Sequence, residues 1–150
     1  MEYMKLDELN KNILNELIED SRLSYRQIAK KLGVSVATVM HRVNILEKEK
    51  VIKRNTSILD YEKLGYDIEV LIDVRIAKGK LIEVERKIAV DPNVFAVYDT
   101  TGDFDAVILA RFHNRRKMDT FLKKIQTFDF VERTNTKLVL STIKESQIKV

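Results

Sequence analysis

The sequence predicts an α+β chain in two parts: a three-helix (winged) helix-turn-helix domain over residues 1–59 and a ferredoxin-like βαββαβ domain with an antiparallel sheet over 60–150. Three observations carry this reading. Apolar residues recur at helical spacing as far as Leu46, strict period-two alternation begins at Ile68, and basic charge is concentrated between Arg22 and Arg54.

Leu6, Leu9, Ile13, Leu14, Leu17 and Ile18 share one side of a first helix over 6–19, with Asp7 and Glu8 near its positive end. Ser24 and Gln27 have the spacing of a capping box. They open a second helix whose Ile28 and Leu32 share a face and which Gly33 ends. Ser35 then caps a third helix with Val39, Val43 and Leu46 as its buried stripe. At about 100° per residue, Ala37, Thr38, His41, Asn44, Ile45 and Lys48 fall on the far side and Arg42 on the shoulder. Val51 to Ile58 (VIKRNTSI) alternates well enough for a short strand or wing. Residues 59–69, with Tyr61, Leu64, Gly65 and Tyr66 but no Pro- or Ser-rich run, read as a short, partly ordered hinge.

Ile68, Val70, Ile72, Val74 and Ile76 mark a strand with one buried face. Leu81, Val84 and Ile88 repeat at helical spacing until Asp91-Pro92 closes that element. A second strand is expected over 94–101, a turn over Gly102-Asp103-Phe104-Asp105, and a third strand over 106–112. Asn114 caps a helix carrying Met118, Phe121, Leu122 and Ile125, and a last strand is expected from Val131 to Ile143. This order puts both helices on one side of a four-stranded sheet. The other face, with Leu71, Phe95 or its neighbours and Val139, is too apolar to leave to water, so two chains are expected to pack these faces together.

Between Arg22 and Arg54 nine basic residues stand against two acidic ones, a net of +7, whereas the whole chain carries +4 and residues 1–20 carry −4. A field of that kind attracts phosphates and gains from counterion release. The helix pair alone fits a solvated surface as well as a groove reader, and the local charge favours the groove. Double-stranded DNA is therefore the expected partner. Ser35, Ala37, Thr38 and His41 would approach base edges, while Arg42, Lys53 and Arg54 would meet the backbone.

The absence of cysteine excludes disulfides and thiolate metal sites, and the sequence has no Gly-rich phosphate loop and no catalytic constellation. No enzymatic activity, metal or cofactor is expected. With no signal-like or membrane-length apolar run, a cytoplasmic location is expected and no membrane partner. The segment Thr101-Gly102-Asp103-Phe104-Asp105 allows two readings. It makes a sound hairpin turn, and its two carboxylates could also hold an ammonium group while turn N–H groups meet a carboxylate.

LGVSVATVMHRVNILEKEKVI, Leu32 to Ile52, resembles the DNA-binding domain of the Lrp/AsnC regulators of amino-acid metabolism, with Lys50 where that family usually has glycine. TGDFD resembles the signature of the same family's effector domain, and the similarity spans residues 5–145 in the family's domain order. The resemblance implies a small-molecule effector, usually an amino acid, bound near this turn at contacts between dimers. It also implies a homodimer assembling to a tetramer or octamer. Carried over by position, the effector residues are Thr101, Gly102, Asp103 and Asp105, with Thr134 and Thr136 from the last strand. Siroheme decarboxylases resemble the family in architecture and are the alternative. Their chemistry relies on histidine near a tetrapyrrole, and the only histidines here are His41, on the expected DNA face, and His113, at a strand end beside Asn114.

Overall fold

The computed structural model describes residues 4–150, which divide into two compact units: the chain up to Ile58 together with Lys144–Val150, and Leu59–Ile143. The division falls one residue before the expected boundary, and the last seven residues join the first unit instead of the second. The reason is local bonding. The Asn15 side chain exchanges two hydrogen bonds of 2.9 Å with the Val150 backbone, and Lys149 pairs with Glu19.

In the first unit, α1 (Glu8–Glu19), α2 (Tyr25–Leu32) and α3 (Val36–Lys48) enclose a core of Ile13, Ile28, Ala29, Val39 and Val43. Each start is capped. The Asp7 carboxylate accepts from Asn10 N at 2.8 Å, and Ser24 and Gln27 close a reciprocal capping box. Ser35 Oγ accepts from Thr38 N at 3.0 Å. Two left-handed residues end the other helices. Gly33, at φ 66°, lets Val34 N turn back onto Ala29 O, and Lys50, at φ 57°, lets Val51 N reach Leu46 O.

The short strand expected over residues 51–58 is corrected: these residues form no strand. After Val51 and Ile52 bond back to Leu46, the segment runs exposed, and period-two alternation is not enough where no neighbouring strand edge takes its hydrogen bonds.

In the second unit, β1 (Ile68–Ile76), α4 (Leu81–Ala89), β2 (Val94–Asp99), β3 (Ala106–Phe112), α5 (Arg115–Gln126) and β4 (Val131–Leu138) build an antiparallel sheet in the order β2-β3-β1-β4. Register aligns Val70, Ile72 and Val74 with Ala110, Ile108 and Ala106, and these side chains form the core with Val84, Ile88, Phe121 and Ile125. β2 stops at Asp99 instead of Thr101. β4 stops at Leu138 instead of Ile143, because opposite it β1 begins at Ile68 and residues 140–143 meet no partner strand.

The opposite sheet face is less apolar than expected. Asp73, 7% exposed, accepts from Lys137 at 2.6 Å and Asn135 at 3.0 Å. Burial pushes its carboxyl up, but these bonds outweigh burial and hold it below the ordinary carboxylate value. Arg111 pairs with Glu69 at 2.6 Å and lies between the rings of Phe95 and Tyr61, at 4.0 and 4.5 Å. The expected hinge is thus anchored. Tyr61 covers Arg111, Tyr66 stacks on His113 at 3.9 Å, and His113 Nδ1 bonds Gly65 O at 2.7 Å. Among the described residues no helix is long and apolar enough to cross a membrane.

The two left-handed helix ends make opposite predictions. Gly33→Ala forces a Cβ into the left-handed region and should destabilise the first unit by about 1–2 kcal/mol, whereas Lys50→Gly relieves that strain and should stabilise it by about 1 kcal/mol. Urea unfolding followed by helical circular dichroism reads both. Equal midpoints for the two variants would contradict the assignment.

Candidate nucleic-acid interface and effector turn

Burial of Val39, Val43 and Leu46 fixes which side of α3 faces outward. The exposed arc carries Val36, Ala37, Met40, His41, Asn44, Glu47 and Lys48, while Thr38 and Ile45 are half-buried. The arc is therefore rotated from the expected one. Thr38 Oγ1 lies 2.8 Å from Ser35 Oγ, so both hydroxyls serve the helix start. Val36 and Met40, 44% and 47% exposed, were missed in the sequence because they are apolar yet lie outside the i, i+4, i+7 stripe.

Arg42 turns inward. Its Nη1 donates to Asp7 Oδ2 and to Asn10 Oδ1, and Asn10 is 6% exposed. One carboxylate thereby caps α1 and ties α3 to it. The Asn10 backbone bond, followed by Arg42, holds the Asp7 carboxyl below its ordinary value of 3.8. Of the nine basic residues, Arg22, Lys31 and Arg42 pair with Asp20, Glu16 and Asp7. Among the described residues, Arg26, Lys30, Lys48, Lys50, Lys53 and Arg54 are exposed and pair with no carboxylate. Lys48, Lys50, Lys53 and Arg54 follow one another at the end of α3 and beyond, interrupted by Glu49, and bring a net positive charge to this part of the surface.

Thr101, Gly102 and Asp103 lie exposed in the β2–β3 turn, with Gly102 at φ 119°. Asp105 does not serve the turn's own backbone. Its Oδ2 accepts from Ile76 N at 2.8 Å, at the register shift where β1 leaves its ladder with β4. The turn is flanked by two cations absent from the expected set: Arg75 donates to Asp103 O at 2.9 Å, and Arg133 lies 4.6 Å from the Phe104 ring. Their sequence signal was weak, because strand pairing alone brings them to the turn.

Thr134 pairs with Val74, whose carbonyl accepts from Asp105 N, so β1 stands between it and the turn, and Gln126 of α5 reaches its hydroxyl at 3.4 Å. Thr136 is two residues further along β4. It lines a groove of about 540 Å³ with Asp67, Met118 and Leu138 and does not join the turn. Among the described residues no group of three or more potential metal ligands is present.

Arg42→Ala should cost about 1 kcal/mol, because the buried Asn10 oxygen loses its donor, while leaving the salt dependence of DNA binding unchanged. Since the Asp7 carboxyl is depressed in the folded chain, its contribution is complete above pH 3.8 and is lost as pH falls through the lower folded value. Thermal melts at pH 7 and pH 3 compare the two proteins. A flatter salt slope for Arg42→Ala with unchanged stability would show a phosphate contact instead.

Two family descriptions match: a winged helix-turn-helix DNA-binding domain over residues 6–53 and the Lrp/AsnC ligand binding domain over residues 69–148. An uncharacterised HTH-type transcriptional regulator of Pyrococcus furiosus is 46% identical over 142 residues, covering 95% of this chain and 96% of the relative. The HTH-type transcriptional regulator FL11 of Pyrococcus horikoshii is 38% identical over 141 residues, covering 94% and 93%. Escherichia coli AsnC superposes with a TM-score of 0.91 at 26% identity, covering 98% of this chain and 100% of that one. The chain belongs to the Lrp/AsnC family: it is a transcriptional regulator with a helix-turn-helix DNA-binding domain and a ligand-binding domain.

Proposed function

We propose that the chain reads specific duplex sequences by laying the outer arc of α3 in the major groove, as a homodimer that assembles further and responds to an amino acid or related small molecule. The carrying observation is the surface of α3 itself. Short or apolar side chains occupy its first turns, and Lys48, Lys50, Lys53 and Arg54 follow with no carboxylate paired to them among the described residues.

In this reading residues 1–59 bind DNA and 60–150 bind the effector and assemble. Ala37, His41 and Asn44 meet base edges, and Lys53 and Arg54 meet phosphates. Ser35 and Thr38 hold the start of the helix against the backbone, and Arg42 ties its middle to the start of α1 through Asp7. On the effector side, Thr101, Gly102 and the Asp103 carboxylate line the site, Thr134 stands across β1 from it, and Asp105 keeps the turn in shape. The apolar remainder of the open sheet face, Leu71, Val107 and Leu109 with exposed Phe95 and Tyr98, supports pairing of two chains there. Dimers meeting near the turn would form tetramers or octamers, and an effector at that seam would shift DNA affinity by about 5–150-fold.

A gel-shift titration with duplexes recovered from a random pool, run with and without a mixture of amino acids, tests this. The expected result is a preferred duplex bound about 10³-fold or more tightly than random DNA, with an affinity that the mixture changes in the parent and not in Asp103→Ala. Equal affinity for all duplexes would overturn DNA reading. An unchanged titration with the mixture would remove the effector, and a monomer in light scattering at micromolar concentration would remove the dimer.

A further inference from the structure

We infer that Val36 and Met40 read thymine methyl groups, so that the half-site presents A·T pairs to the first turns of α3. The inference rests on the reading that α3 enters the major groove. Val36, Met40 and Asn44 follow one another at i, i+4 and i+8, forming one row along the exposed arc. Val36 and Met40 are 44% and 47% exposed, although the same helix fully buries Val39 and Leu46 against the core. Neither belongs to that core cluster, and an exposed apolar pair beside a cationic surface suits an apolar target within an anionic partner.

The major groove supplies one such target. Among the base edges, thymine alone carries a methyl group, and adenine offers the N6 and N7 pair that an asparagine amide matches. The row Val36–Met40–Asn44 spans about 12 Å along the helix, the length of three to four base pairs. Two methyl readers followed by an adenine reader therefore fit a short A·T run. Guanine lacks its usual partner here. The basic residue in this stretch, Arg42, is held by Asp7 and Asn10, and Lys48 lies a full turn beyond Asn44. The side chains of His41, beside the row, and Asn44, at its end, remain as donors for a guanine edge.

The test uses the full chain and one preferred duplex recovered from a random pool, synthesised with thymine or with uracil, which lacks only the methyl. The parent protein should lose about fourfold in affinity for each contacted methyl removed. Val36→Ala and Met40→Ala should each bind the thymine duplex more weakly and show a thymine-to-uracil ratio about fourfold smaller than the parent's, and the double variant a ratio near one. Equal binding of both duplexes by the parent would overturn the inference, and that comparison needs no variant. An undiminished ratio in both variants, or a preferred duplex without A·T pairs, would also overturn it. If no duplex were preferred, the major-groove reading itself would fail, and this inference with it.

Discussion

The Asp7 carboxylate is the point on which the orientation of α3 depends. One oxygen caps α1 through Asn10 N, and the other holds Arg42, so the start of one helix and the middle of another share a single group. The apolar stripe Val39, Val43, Leu46 fixes the rotation of α3 about its axis, while the Arg42 bond ties its middle to the start of α1. A groove-reading helix needs both, because a base-edge contact is made or lost within a fraction of an ångström. A long flexible cation on the shoulder of α3 has therefore been used for internal geometry. The cations left for phosphates lie at the end of the helix and beyond it.

A similar division holds in the sheet unit. Asp103 and Asp105 stand one residue apart in the same turn, yet one carboxylate is exposed and the other satisfies Ile76 N at the β1 register shift. A buried, unpaired N–H would be costly, so Asp105 is tied to the fold, and Asp103 is the carboxylate left exposed. The open sheet face likewise mixes a fixed part with a free part. Asp73 is held by Lys137 and Asn135, and Arg111 by Glu69, Tyr61 and Phe95, which leaves apolar area around Leu71, Val107, Leu109 and Tyr98.

Much of this was legible in the sequence wherever the cause is local. Ser24, Gly33, Ser35 and Asn114 mark helix ends through their own backbone bonds, and the alternation of Ile68 to Ile76 marks β1. Errors gathered where a distant partner decides. Val51 to Ile58 alternates like a strand but meets no sheet edge, and β4 ends where β1 gives out and not where its own apolar pattern does. The bonds of Arg42 to Asp7 and Asn10 were not legible, because these partners lie more than thirty residues away. Thr134 and Thr136 share one face of β4, where Gln126 meets the first and the groove beside Met118 takes in the second. Lys50, standing where glycine was expected, adopts the left-handed conformation that position requires.

The account stands or falls on whether α3 occupies the major groove. Methylation protection by dimethyl sulfate separates the grooves, since it reads guanine N7 in the major groove and adenine N3 in the minor. With the full chain and a preferred duplex that carries G·C pairs at the ends of each A·T half-site, protection of guanine N7 is expected in two patches about 10 base pairs apart, one for each copy of α3. Protection confined to adenine N3, or a uniform pattern indistinguishable from free DNA at saturating protein, would contradict it.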